Sequence, residues 1–371
     1  MSNLIVVIGA TGGQGGGVVD IFLKEPGWKV RGTTRNTSSE KAKALAAKGV
    51  EMVSANLNDE ESLERAFEGA TAIFAFTDYY DTFFDLGPEK SMIMEFEQGK
   101  RIARAGEAVC PHLEGKGRIV THITNEMPDL AAKTTFCVFT IFANNPLLYD
   151  IFRPVYVPSA KKYIAMYPVP PSTPYPCVGD HAVNGGIFVR ALIKNPPPQG
   201  SFVRCNAETL TVDSYLALWG RVTGIAPEEG SIAAVQISPE DYIRLWGHMG
   251  AEQASQWRFF HWVAEHGPPK WEGITLVEGM DFLSDEDKKG PLNIEESLKL
   301  YDWSSFEKKF TASSSESRFA NLKLGSLWKP SKCESLLFFE QERKNTSKFQ
   351  THILNVPSSN FELKNVPIVI Y

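Results

Sequence analysis

Leu4-Ile5-Val6-Val7-Ile8-Gly9-Ala10-Thr11-Gly12-Gly13-Gln14-Gly15 reads as a buried strand feeding a glycine turn. Its continuous apolar, largely β-branched run suits a parallel strand covered on both faces. Val18, Val19, Phe22 and Leu23 then recur on one face of a helix. Between strand and helix the glycines are spaced G-x-x-G-x-x-G at Gly9, Gly12 and Gly15. That spacing lets the backbone turn tightly, approach a pyrophosphate, and aim helix N-terminal N–H groups at its charge. The expected ligand is a dinucleotide cradled by Gly9, Ala10, Thr11, Gly12, Gly13, Gln14 and Gly15. The bland alternative is a glycine-rich turn with no ligand.

The next strand, Trp28-Lys29-Val30-Arg31-Gly32-Thr33-Thr34, ends at Arg35. An acidic residue in this place would hold the ribose hydroxyls of NAD, whereas an arginine pairs with the 2′-phosphate of NADP. NADP(H) is therefore the expected cofactor, with Arg35, Asn36, Thr37, Ser38 and Ser39 around the phosphate. Ser38 and Ser39 serve equally well as caps of the following helix.

A strand-helix rhythm continues through a helix near Glu40–Ala47, a strand at 51–55, a helix near Glu60–Phe67 and a strand at 72–76. This predicts an α/β fold, a Rossmann-like doubly wound parallel sheet. Ligands of such sheets sit beyond the carboxyl ends of the strands. Asn56 and Leu57 would then flank the adenine, and Thr77, Asp78 and Tyr79 the ribose and nicotinamide. Asp78 as a turn residue and Tyr79 as a core aromatic are the competing readings. The 371 residues, 43% hydrophobic, are enough for more than one ordinary domain. A net charge of −6 without a basic stripe does not indicate direct nucleic-acid binding. Cys110, Cys137, Cys177, Cys205 and Cys333 are dispersed, without C-x-x-C spacing. They point to a reducing compartment and no structural zinc, and no metal is expected. No long apolar run or leader is evident, so the expectation is a cytoplasmic protein without membrane attachment, with the nucleus a further place for it.

Gln14 in the glycine turn, Thr34-Arg35-Asn36, Gly49-Val50-Glu51 and Glu97-Gln98-Gly99-Lys100 together resemble the NmrA-like proteins, atypical members of the short-chain dehydrogenase/reductase superfamily. The resemblance returns in Phe188-Val189-Arg190-Ala191-Leu192, in Tyr215-Leu216-Ala217-Leu218-Trp219 with Val222-Thr223-Gly224, and in Asp302-Trp303-Ser304-Ser305-Phe306. It implies an NADP-binding Rossmann domain, here 1–144, and a smaller α+β lobe, here 145–306, shaping a cleft over the nicotinamide. Some members of the family turn over small molecules and others are redox-sensing regulators.

The family pattern has a fifth strand after the helix of Gln98, yet that helix gives way within a few residues to Pro111-His112-Leu113-Glu114-Gly115-Lys116. The sequence thus predicts a sheet without its usual fifth strand, unless the chain pairs its sheet anew. An unfilled central position would strand backbone N–H and C=O groups, against a whole stability of only about 5–15 kcal/mol. His112 to Lys116 matches the family's His-Phe-Asp-x-Lys segment, which makes Lys116 the catalytic candidate, holding the nicotinamide ribose and positive charge near a reacting carbonyl. The superfamily's Tyr-x-x-x-Lys pair is absent, and His112, one helical turn before Lys116, is the candidate replacement donor. Ile141, Phe142, Ala143 and Asn144, after a strand near 134–140, occupy the family's aromatic-rich cofactor segment; Phe142 suits the core as well.

Pro168 to Pro176 reads as a proline-rich connection, Thr209–Tyr215 as a strand end leading into a capped helix, and Ser238-Pro239-Glu240-Asp241 as a helix start. Trp246, Trp257, Phe260 and Trp262 line either an apolar pocket or the core. Residues 307–371 carry ten Lys or Arg against six Asp or Glu and lack a period, so an atypical, disordered tail is expected. Two functions emerge: an NADP(H)-dependent oxidoreductase reducing a carbonyl, enone or imine of a small-molecule substrate, or an NADP(H)-sensing regulatory protein that binds a protein partner without turnover.

Overall fold

The structure, a computed structural model, describes residues 2–106, 113–198, 200–267, 276–304, 306 and 368–370. The described residues up to Trp303 and Ile368–Ile370 group as one compact unit. The first half runs β1 (Asn3–Val7), α1 (Gly13–Phe22), β2 (Trp28–Thr34), α2 (Glu40–Ala47), β3 (Glu51–Ser54), α3 (Glu60–Phe67), β4 (Ala72–Ala75), α4 (Tyr80–Leu86), α5 (Pro88–Gly106), α6 (Leu113–Glu126), α7 (Pro128–Ala131), β5 (Thr134–Phe139), β6 (Ile141–Phe142) and α8 (Asn145–Leu148). There follow β7 (Val155–Val157), β8 (Lys162–Tyr167), β9 (Pro174–Gly179), α9 (Val183–Lys194), β10 (Phe202–Cys205), β11 (Glu208–Thr211), α10 (Val212–Thr223), β12 (Ile232–Gln236), α11 (Pro239–His266), β13 (Leu276–Glu278), α12 (Ile294–Leu298) and β14 (Ile368–Ile370).

The main sheet has the order β13-β10-β5-β14-β4-β1-β2-β3 and is parallel throughout. Ile5, Val6 and Val7 of β1 are wholly inaccessible and β4 is buried along its length, as expected where both faces are covered. The path from β1 to β2 and the path from β3 to β4 run in opposite directions along the sheet. With right-handed crossovers they place α1 and α3 on opposite faces. One layer of helices pairs α1 with α9; the other joins α3, α5 and α6. Local signals set the helix starts: Ser39 caps α2 through Ala42 N, and Asp59 caps α3 through Ser62 N.

The expected vacancy in the sheet is filled. Ile368–Ile370 lies between β4 and β5, parallel to both, with Val369 opposite Phe74 on one side and Thr135 on the other. Pairing within a sheet is non-local, so no spacing near position 110 reveals where the replacement strand comes from. The same three residues belong to the tail that the sequence assigned to disorder; 307–367 lie outside the described residues.

Two three-stranded sheets, β11-β9-β6 and β12-β8-β7, accompany the main one. Pro174 and Pro176, expected in a connection, belong to β9. They are tolerated because β6 pairs with β9 only from Cys177 onward, so the prolines face a single neighbouring strand, β11. Trp257 is fully buried against Tyr167 and Tyr175, and Tyr175 stacks on Tyr215 at 4.0 Å between ring centroids. Trp257 is thus core, while Trp262 remains substantially exposed. No helix among the described residues is long and apolar enough to cross a membrane.

Candidate functional site

The strand order reverses between β1 and β4, which opens a crevice beyond their carboxyl ends. The glycine turn forms one wall. Gly9 has φ +63°, a left-handed conformation that favours glycine, and a Cβ there would stand 3.0 Å from Phe76 Cε1. A Cβ on Gly15 would stand 2.7 Å from the Gly9 carbonyl carbon and 2.8 Å from Ile8 O, so only glycine lets α1 start this close to the end of β1. Gly12 N–H donates to Gly9 O at 2.9 Å, and Gly12, the N-cap, contributes no side chain. The first turn of α1 also lacks acidic residues, so its positive end faces the crevice uncompensated by side chains. Ala10 is buried, while Thr11 and Gln14 are partly accessible at the turn.

Arg35 follows β2 and reaches Asp81 in the first turn of α4, Nη1 to Oδ2 at 2.8 Å, with both side chains largely exposed. The pair bridges the loops after β2 and β4. Asn36 Oδ1 accepts from Ser38 N–H at 2.9 Å and Thr37 is exposed. Ser39 accepts from Ala42 N–H, so its capping role is realised. Asn56 Oδ1 accepts from Asn58 N–H, shaping the loop after the outermost strand, and Leu57 packs partly onto the core.

Beyond β4, buried Thr77 donates its hydroxyl to Glu95 at 2.6 Å. Asp78 N–H donates to Gln98 Oε1 at 3.3 Å, while Asp78 Oδ1 accepts from Asp81 N–H, a turn role. Tyr79 is half-buried, with its ring 5.2 Å from those of Tyr80 and Phe83. From α11, Glu252 accepts from the Tyr80 hydroxyl at 3.4 Å. Burial first, and then the Glu252 charge, pushes the Tyr79 and Tyr80 phenols well above their ordinary range. Tyr149, raised by burial and by Asp78, joins the group with its ring 6.1 Å from Tyr80. All three are held as neutral O–H groups, the form that donates a proton.

The loop after β5 supplies the opposite side. Ile141 and Ala143 are buried, and Ala143 O accepts from Tyr215 at 2.9 Å. The Phe142 ring lies 5.1 Å from His181, whose imidazole packs on the start of α1: a Cβ on Gly13 would stand 2.6 Å from His181 Cδ2. Burial lowers the His181 pKa below its ordinary 6.5, and the adjacent Asp180 opposes the shift. Asn144 Oδ1, Asn145 Oδ1 and His181 Nδ1 are buried without a hydrogen-bond partner, as expected of groups awaiting a polar ligand. Lys116 lies within α6 but its side chain, like all of His112, is outside the described residues. Among the described residues no cluster of His, Cys, Asp or Glu has the makings of a metal site.

The fold brings the glycine turn, Arg35 and the loops after β4 and β5, all singled out from the sequence, to one crevice. The sequence reading missed Tyr80, Asp81, Tyr149, His181 and Glu252. Only Asp180 left a local trace of the His181 turn: its carboxylate accepts from Ala182 and Val183 N–H, a helix cap of readable type. An NADP(H) molecule fits this donor set, with the glycine turn for the pyrophosphate, Arg35 for a 2′-phosphate, and the orphaned groups near the nicotinamide end.

Comparison with known proteins bears on the fold. Residues 1–112 match the NmrA-like family. The NmrA-like family domain-containing oxidoreductase hkm9 of Aspergillus hancockii is 37% identical over 127 residues, 33% of this chain and 36% of that protein. The chain thus spans about a third of the length of the curated relative. An NmrA-like family domain-containing protein of Dictyostelium discoideum is 26% identical over 245 residues, 60% of this chain and 78% of the relative. Among solved structures, NmrA, a negative transcriptional regulator in complex with NADP, superposes with a TM-score of 0.59 at 19% identity, covering 83% of this chain and 98% of its own. The Citrobacter triphenylmethane reductase complexed with NADP(H) gives 0.54 at 16% identity, covering 80% and 99%. The fold is therefore that of NmrA and of the triphenylmethane reductase, and residues 1–112 are similar to the NmrA-like family.

Proposed function

We propose that this protein is an NADP(H)-dependent oxidoreductase that reduces a carbonyl, enone or imine of a small metabolite. One observation carries the reading: a glycine turn and Arg35 border a crevice beside which three neutral phenols and Glu252 gather. NADPH, when bound, supplies a hydride. The chain's own residues would do the rest. Gly9 to Gly15 and the positive end of α1 bind the pyrophosphate, and Arg35 exchanges its exposed partner Asp81 for a 2′-phosphate. Asn144, Asn145 and His181 offer buried polar atoms to the nicotinamide end. Lys116 remains the proposed group for the ribose and for the charge developing on the reacting oxygen. The sensing alternative draws support from the regulator NmrA, whose structure with NADP shares this fold.

Calorimetry with NADPH and NADH, on the protein and on Arg35→Ala, tests the binding half. A charge-assisted pair worth about 1.5–3 kcal/mol predicts a loss of roughly ten- to a hundredfold for NADPH and little change for NADH. Equal losses for both cofactors would show that Arg35 does not read the 2′-phosphate. NADPH oxidation over a panel of apolar ketones, enones and imines then separates the readings, since a sensor binds NADPH and consumes none.

A further inference from the structure

Three features of β14 bear on its place in the main sheet. It follows Trp303 by 65 positions. It is three residues long and hydrogen-bonded on both sides, to β4 through Ile73, Phe74 and Ala75 and to β5 through Thr134, Thr135 and Phe136. Its sequence, Ile368-Val369-Ile370, is wholly β-branched, a composition that favours extended backbone. The two strands beside it end at the two sides of the crevice, at Thr77–Tyr80 and at Ile141–Asn145.

We propose that the position between β4 and β5 is a binding site for one extended apolar segment, that Ile368–Ile370 is its ligand, and that occupancy holds the crevice open for its cofactor. Adjacent strands lie about 4.8 Å apart, so an inserted strand keeps β4 and β5 about 9.6 Å apart. When the segment leaves, two buried rows of backbone N–H and C=O groups face each other without partners. Direct pairing of β4 with β5 is the arrangement that satisfies both rows. That closure moves the Ile141–Asn145 loop toward Thr77–Tyr80 by about one strand spacing, onto the place proposed for the nicotinamide. The segment acts by β-strand addition, as an extended peptide adds to an open edge, but within the sheet and from its own chain. Its covalent tether provides a high effective concentration, which keeps the position filled without a partner. The coupling to the cofactor rests on the function proposed above; the occupancy of the position does not.

The full chain carrying Thr135→Cys and Val369→Cys tests the occupancy, because these residues are paired across the ladder. Mild oxidation followed by peptide mass mapping is expected to yield that disulfide within single chains. Absence of the cross-link overturns the proposal, and a disulfide joining two copies overturns the assignment of the ligand to the same chain. A second arm uses full-length Val369→Pro, whose own segment can no longer donate in the ladder, with a fluorescein-labelled peptide of residues 364–371. Saturable binding at least tenfold tighter than to the wild type is expected; equal binding to both, or to neither, overturns the exchangeable-ligand reading. In the third arm NADPH affinity falls at least tenfold in Val369→Pro and returns on addition of the peptide. NADPH affinity that stays at the wild-type level in Val369→Pro without peptide overturns the coupling. Formation of the cross-link in the double-cysteine chain, together with a wild type that binds no NADPH, refutes the proposed function while leaving the strand site standing.

Discussion

Gly16→Ala and Gly17→Ala, neighbouring substitutions in one helix, are expected to change stability in opposite directions. Both replace a helical glycine by the residue with the highest helix propensity, a gain of up to about 1 kcal/mol. Their surroundings differ. A Cβ on Gly16 meets only Ala10 O, at 3.5 Å, an ordinary contact. A Cβ on Gly17 would lie 2.5 Å from the carbonyl carbon and 2.6 Å from the Cα of Ala182, at the start of α9. Those are backbone atoms, so relief requires α9 to withdraw by roughly 1 Å, and tightly packed interiors resist such shifts. Gly186 forms the reciprocal contact, its would-be Cβ lying 2.6 Å from Gly17 O, which closes the other direction of escape. Overpacking of this kind costs about 3 kcal/mol at the upper end of its usual range, leaving Gly17→Ala about 2 kcal/mol less stable than the parent. For domains of this order of size that is a Tm about 4–8 °C lower, against a rise of about 2–4 °C for Gly16→Ala. Thermal unfolding followed by circular dichroism, with urea titration as a check on the slope, measures both. Equal Tm values in the two variants would refute the close approach of α1 and α9.

Two further outcomes follow from the titrating groups. His181 is held below its unfolded value of 6.5, so the folded state binds fewer protons than the unfolded one between the two values. Its contribution to stability is complete above pH 6.5 and is lost as the pH falls toward the folded value. Urea midpoints from pH 8 to pH 5 should therefore fall more steeply in the parent than in His181→Gln, and parallel profiles would count against a buried neutral imidazole. Cys177 is pushed up to about 12 by burial, against the Gly179 N–H that its sulfur accepts at 3.3 Å. In a variant lacking the other four cysteines, a thiol reagent at pH 8 should label it only on unfolding; labelling within seconds would show that the thiol is accessible.

How much the sequence revealed depends on the range of the interaction. Ser39, Asp59 and Ser238 announce helices α2, α3 and α11 because a cap is settled within four residues. The glycine turn is equally local: Gly9, Gly12 and Gly15 crowd one another directly. Arg35 was legible as a charge at the end of β2, but its ion pair with Asp81 was not, since 46 positions separate them. Glu252 reaches Tyr80 across 172 positions, and nothing in α11 distinguishes that glutamate from a solvated one until the chain is folded. Trp257 and Trp262 share a helix and an aromatic signature, yet one is core and the other half-exposed, because the packing partners Tyr167 and Tyr175 come from other strands. Pro174 and Pro176 misled for a related reason: proline excludes a strand flanked on both sides, and local sequence does not report how many neighbours a strand will have.

The insertion of Ile368–Ile370 beside Ile73 joins positions 295 apart, and this sets a timetable for biosynthesis. At about 5–20 residues per second the ribosome needs roughly 15–60 s to travel from one strand to the other. For most of that interval, from the synthesis of Thr134–Phe139 onward, β4 and β5 exist in the nascent chain with a central neighbour not yet made. Folding of the sheet is therefore completed only after Ile370 has been made, whatever the N-terminal units have achieved by then. Loop closure over that distance must precede the contacts that reward it, the condition associated with slow folding. The exposed strand edges of the waiting intermediate are the surfaces on which association between chains begins, so protein yield in cells should respond to chaperone supply more strongly than the stability of the finished molecule would indicate.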